Sequence, residues 1–228
     1  MELYFIPQEF LNLYINFKHM RKILFYLVIV FSSIQSQAQT AKELLDEVSA
    51  KVASYKNIAI DFKYGLSNTE ENLKQDTRGN VTLQGNKYLL NLMGTTQLFD
   101  GENLYVIIPE DEEINISKAN EESDLTPSKM LTFYKKGYKA TMDVVQNVQG
   151  RKIQYVKLVP TATDSEIESI LLGIDKETKH IYRQILKQKN GSEITITVNS
   201  FKTDQPLSNT LFNFDESKYK DYYINRVD

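Results

Sequence analysis

At the start of the patterned part of the chain, Ala41, Leu44, Leu45, Val48 and Val52 share one helical face, with charged residues between them. That spacing predicts an amphipathic helix, and Thr40 with Glu43 has the capping-box separation that opens one. After it the period drops to two. Ile58, Ile60, Phe62, Tyr64 and Leu66 alternate with Ala59, Asp61 and Lys63, the pattern of a strand with one apolar face. The polar stretch LSNTEENLKQDT reads as a loop. GNVTLQGNKYLLNL then reads as a hairpin turning at Gly85-Asn86, which sets Leu83 opposite Tyr88, Val81 opposite Leu90 and Gly79 opposite Leu92.

TQLF and NLYVII flank Asp100-Gly101, a two-residue hairpin signal in which both turn positions need positive φ. Pro109-Glu110-Asp111-Glu112 marks the next turn, into EINIS. A second helix is expected around Thr126–Tyr134, with Thr126 as cap and Pro127 in the first turn. RKIQYVKLVP, EIESILLGID, HIYRQILKQK and SEITITVNSF read as four more strands, the last two joined at Asn190-Gly191, and the C-terminal stretch adds one or two. The sum is a mainly β, α+β chain: about ten or eleven strands in a large antiparallel sheet, curved or nearly closed, with helices on one side.

The first residues follow a different logic. Met20-Arg21-Lys22, the apolar run Ile23–Phe31 and the small-x-small site Ser36-Gln37-Ala38 have the layout of a cleaved secretory signal over 20–38. The run is shorter than the roughly 17–25 residues that span a bilayer. Residues 1–19 have no place in such a signal and fit a start codon assigned too far upstream, which leaves 39–228 as a single exported domain. Of 27 basic and 30 acidic residues, Lys18, Arg21, Lys22, Glu2 and Glu9 fall before residue 39. The remaining net charge of −4 gives no footing for nucleic acid. Without cysteine there are no disulfides, thiol chemistry, thiolate metal sites or lipid anchor on an N-terminal cysteine.

Candidate chemistry is thin. Asp100, Glu102, Glu110, Asp111, Glu112 and Glu113 fall where strands reverse. They lack the regular ligand positions of a calcium loop and the cleft-held pair of a glycosidase. His180 is the one histidine after residue 38, and no serine sits in a G-x-S-x-G elbow. The residues point to no enzyme, catalytic residue, metal or cofactor. What remains is apolar: Ile60, Phe62, Tyr64, Val81, Leu83, Tyr88 and Leu90 on the sheet, with Leu44, Leu45, Val48, Met130, Leu131 and Phe133 on helices that could cover it. A packed core and a ligand cavity draw on the same residue types.

The order helix, alternating strand, GNVTLQGNKYLLNL, FDGENLY, PEDEEINI, TPSKMLTFY and FNFDESKY resembles the LolA family, over essentially all of residues 40–228. That resemblance implies an unclosed antiparallel β-barrel with an α-helical lid over an apolar cavity that takes acyl chains while the lid swings aside. The helices at 40–55 and 126–134 would supply the lid or its supports, and Asp100-Gly101 would be a structural turn. It further implies a monomeric soluble carrier of acylated lipoproteins, loaded by an inner-membrane lipoprotein-releasing ABC transporter and unloaded at an outer-membrane acceptor. Two positions depart from the better-known carriers. Gly85-Asn86-Lys87-Tyr88 stands where those have a Lys-Arg-Pro whose arginine latches the lid, and Leu104-Tyr105 follows the Asp-Gly turn where those have a tryptophan. A carrier or sensor of another hydrophobic ligand, such as a free lipid or pigment precursor, is the alternative.

Overall fold

The computed structural model describes residues 41–118 and 126–227. The signal segment and Thr40 of the capping box lie outside them. Helix α1 covers 41–53 and packs the predicted face: Ala41, Leu44, Leu45 and Val48 are all buried. One sheet of twelve strands follows, not ten or eleven. In chain order these are β1 Ile58–Asn68, β2 Leu73–Gln84, β3 Lys87–Leu92, β4 Thr95–Phe99, β5 Asn103–Ile108 and β6 Glu113–Lys118. After the short helix α2, Pro127–Met130, come β7 Tyr138–Val148, β8 Arg151–Pro160, β9 Ile167–Asp175, β10 Ile181–Gln188, β11 Ser192–Thr203 and β12 Tyr223–Val227.

The spatial order is β12-β6-β5-β4-β3-β2-β1-β11-β10-β9-β8-β7. Two antiparallel meanders, β1–β6 and β7–β11, thus join along one seam, where β1 pairs with β11 from Ile58↔Thr203 to Asn68↔Ser192. The sheet does not close, because β7 and β12 are its two ends. β12 is the exception to antiparallel pairing, lying parallel to β6.

Several expectations need correction. LSNTEENLKQDT is mostly strand: β1 runs to Asn68, β2 begins at Leu73, and Asn68 Oδ1 accepts from the Glu70 and Glu71 amides to cap the turn between. The hairpin there extends past the core, and Leu73–Asp76 are exposed, so no face had to be apolar. β7 carried no usable signal either. It is an edge strand with a register shift between Met142 and Val145, and Val144 and Val145 face solvent. The second helix breaks after Met130 and resumes as a 3₁₀ turn, Phe133–Lys135, while Thr126 does cap its start by accepting from the Lys129 amide.

At Gly85-Asn86 the expected register holds, Leu83↔Tyr88, Val81↔Leu90 and Gly79↔Leu92, and Gly85 takes φ +61°. At Asp100-Gly101 only the glycine has positive φ. Asp100 instead accepts the Glu102 and Asn103 amides on Oδ1 and the Tyr105 hydroxyl on Oδ2. Burial works against its charge, but these bonds outweigh that and hold its carboxyl below the usual aspartate value.

The concave face divides into two apolar clusters. Over β8–β10, α1 seals a dry core around Val156, Leu158, Ile170, Leu172 and Ile174, each at most 1 % exposed. Over β1–β3 the second cluster gathers Ile58, Ile60, Phe62, Val81, Leu83, Tyr88 and Phe99. A third, smaller packing lies on the convex face. There the FDGENLY and FNFDESKY segments meet, with Tyr105 stacked on Phe214 at 4.4 Å and Phe214 on Tyr219 at 5.5 Å.

Candidate functional site: an apolar cavity beside the seam

The second concave cluster is incompletely filled. A cavity of about 290 Å³ lies between the sheet and α2. β1 contributes Ile60, Phe62 and Tyr64, β2 Val81 and Leu83, and β3 Leu90 and Leu92. β11 adds Ile196, Val198 and Phe201, β10 adds Ile181 and Gln184, and the cover is Pro127, Met130 and Leu131.

The alternation of each strand places these side chains, with two irregularities that matter. In β11 the pairs Asp61↔Ser200 and Phe62↔Val198 leave Asn199 unmatched, and this bulge turns Phe201 inward where strict alternation would have turned Ser200. In β10 the register shift between Ile181 and Arg183 does the same for Ile181 and Gln184. Both bulges bend the sheet around the cavity.

Of the residues expected to bind an apolar ligand, Ile60, Phe62, Tyr64, Val81, Leu83, Leu90, Met130 and Leu131 line this cavity together. Leu44, Leu45 and Val48 pack in the α1 core instead, and Phe133 packs against that core. Tyr88 is buried at the closed end, 5.7 Å from Phe99. Sequence reasoning missed Leu92, Pro127, Ile181, Gln184, Ile196, Val198 and Phe201. Ile196 and Val198 alternate visibly in SEITITVNSF, but nothing local said that this strand pairs with β1.

Gly79 sets the cavity's shape. A Cβ there would lie 2.6 Å from Phe62 Cζ and 2.9 Å from the Asn91 carbonyl oxygen, so the Phe62 ring can lie flat only over a glycine. Gly79→Ala is expected to tilt that ring into the cavity, lowering stability by about 1–3 kcal/mol. Thermal denaturation and displacement of a fluorescent fatty-acid probe would show both effects.

The cover is thin. α2 buries no residue fully and touches β2 and β3. Two tethers tie the helical parts down. Ser49 Oγ on α1 donates to the Tyr134 hydroxyl at 3.0 Å, beyond the end of α2. Just after α1, the Tyr55 hydroxyl lies 2.8 Å from His180 Nε2, and the His180 ring stacks at 4.0 Å on Phe201 of the cavity wall.

Burial, and then the charge of Lys51, depress the His180 pKa below 6.5, against a smaller opposing effect of Asp175. The folded chain therefore favours the neutral ring, whose Nε2 can accept from Tyr55. The unfolded chain binds the proton more readily, so His180 contributes stability above its unfolded value near 6.5 and loses it as pH falls through the lower folded value. Melting at pH 7.5 and pH 5 should show a smaller acid-induced loss in His180→Gln than in the wild type.

The six turn acids lie outside this cavity. Among the described residues no group of three or more His, Asp or Glu could hold a metal ion, and no helix is long and apolar enough to cross a membrane.

A model of the family described as "Outer membrane lipoprotein carrier protein LolA" matches residues 53–215. This chain belongs to the LolA family. Its fold is shared with an uncharacterized conserved protein from Thermus thermophilus (12 % identity, 82 % of this chain and 99 % of that one, TM-score 0.53). Other similar structures are a LolA superfamily protein from Nitrosomonas europaea (12 %, 78 % and 98 %, TM-score 0.40) and the lipoprotein LppX from Mycobacterium tuberculosis (14 %, 73 % and 98 %, TM-score 0.47). No curated protein matches the sequence. As a LolA-family chain it has the mostly β, unclosed and curved sheet of that fold, twelve strands with few helices.

Proposed function

We propose that this protein is a periplasmic carrier that takes the acyl chains of lipoproteins into the cavity beside the β1–β11 seam and moves them from the inner to the outer membrane. The observation that carries this reading is a half-open apolar cavity under a cover that buries none of its own residues fully, in a chain of the LolA family. Each CH₂ withdrawn from water is worth roughly 0.8 kcal/mol, so two or three long chains crossing bare water would cost tens of kcal/mol. A container removes that cost, and a thin cover lets the cargo leave again. An inner-membrane lipoprotein-releasing ABC transporter would load it, and an outer-membrane acceptor would receive the cargo.

One feature favours a second reading, carriage of another hydrophobic ligand. The β2–β3 turn is Gly85-Asn86 and supplies no arginine to latch the cover; the tethers seen are the Ser49–Tyr134 and Tyr55–His180 contacts. The deciding experiment incubates the purified protein with ATP-supplied spheroplasts. Release of acylated lipoproteins in a one-to-one complex is the expected result. Free lipid in the cavity with no lipoprotein released would move the function to the second reading.

A further inference from the structure

We propose that Tyr64 and Gln184 form a polar collar at the cavity mouth that binds the neutral carbonyl of an ester- or amide-linked acyl chain held tail-first in the cavity. The proposal rests on the cavity being a lipid site and names the ligand chemistry that the site selects.

Among the lining side chains only these two carry a polar group. Neither makes a hydrogen bond to another described residue, unlike several hydroxyls and amides elsewhere in this fold. The Tyr134 hydroxyl meets Ser49, that of Tyr55 meets His180, that of Tyr105 meets Asp100, and the Gln154 carboxamide donates to the Asp143 and Tyr155 carbonyls. Both groups reach water, so a ligand that displaces that water must supply a partner in its place.

Their placement says what could do so. Tyr64 pairs with Ile196, and Ile196 with Gln184, so the two stand in one row across three adjacent strands on the concave face. At about 4.8 Å per strand their backbones are about 10 Å apart, with the apolar Ile196 between them. The opposite end of the cavity is closed by the paired row Ile58, Leu83, Tyr88 and Phe99, all buried, whereas Tyr64, Ile196 and Gln184 are only half-buried. Tyr64 is six positions along β1 from Ile58, which puts the two rows roughly 20 Å apart along the strand. A chain entering tail-first therefore leaves its carbonyl end at the collar.

Both groups can donate to a carbonyl oxygen: the Tyr64 O–H and the Gln184 NH₂. No lining residue carries a charge, so the wall offers nothing to balance a fatty-acid carboxylate. A hydrocarbon or ether chain fills the same space but gives the donors no carbonyl. The collar thus selects the acyl linkage itself.

Displacement of a bound uncharged apolar fluorescent dye, used as the probe, by two chain-matched competitors tests this: 1-monopalmitoylglycerol, an ester, and 1-O-hexadecylglycerol, its ether counterpart. Wild type should favour the ester by about fivefold or more, the size of one net hydrogen bond. Gln184→Leu and Tyr64→Phe should each erode that preference and the double variant abolish it, each measured as the ester-to-ether ratio within one variant. Equal binding of the two competitors by wild type, or a preference that survives the double variant, overturns the collar while leaving the cavity a lipid site. If neither competitor displaces the probe, the lipid reading of the cavity fails and the collar with it.

Discussion

Leu90→Glu is expected to abolish acyl-chain binding in a protein that still folds. Leu90 is only half-buried at the cavity wall, so the folded chain can keep a glutamate there hydrated. An acyl chain in the cavity would displace that water and leave a carboxylate against hydrocarbon. Losing the leucine contact together with this desolvation should cost about 3 kcal/mol or more, at least a hundredfold in affinity. Probe titration alongside circular dichroism would check it. A folded Leu90→Glu protein that binds the probe as wild type does would remove Leu90 from the binding wall. Leu90→Met, similar in volume and uncharged, should retain binding.

The second large effect lies in the other half of the concave face. Leu172→Ala should destabilise the protein by roughly 2–5 kcal/mol, because Leu172 of β9 is wholly buried in the core that α1 covers and its neighbours can collapse only partly into the space left. For a domain of this size that lowers Tm by about 2–4 °C per kcal/mol. Urea titration should show an earlier midpoint with an unchanged slope, and probe affinity below the transition should match wild type. Paired with Leu90→Glu, the result would show that stability and binding reside in separate clusters of one face.

How much of this was legible in the sequence follows from where each signal had a physical cause. Alternation was readable wherever a strand had one buried face, as in Ile58–Tyr64, and the Gly85-Asn86 register came out correctly because a slip of one residue would have turned Val81, Leu83 and Leu90 to the solvent. It faded where strands left the core, in the polar end of the β1–β2 hairpin, and at the exposed edge strand β7. The cavity was half-visible. The β1–β3 wall could be assembled from neighbours in sequence, but Ile196, Val198 and Phe201 join it only through a pairing across some 140 residues, and Phe201 only because of the Asn199 bulge. Helix periodicity placed Leu44, Leu45 and Val48 on an inward face without showing that this face covers the filled half of the sheet.

The segments that carry the family resemblance fall elsewhere. FDGENLY and FNFDESKY are brought together on the convex face by the Tyr105–Phe214 stack, with Asp100 bonding Tyr105. Those motifs fasten the C-terminal segment to the outside of the sheet, so their presence speaks for the fold and leaves cargo choice to the opposite face.

The seam has a consequence for the order in which the molecule assembles. Every other antiparallel pairing joins strands adjacent in sequence, with short loops to close; β1 with β11 closes nearly the whole domain. Loop-closure entropy delays such distant contacts, so the two meanders are expected to form first and dock last. Because the cavity wall straddles that seam, neither meander alone can hold cargo. In native-state hydrogen exchange, the β1 and β11 amides should gain protection in step with lipid loading, making the cargo a clasp across the joint between the two halves.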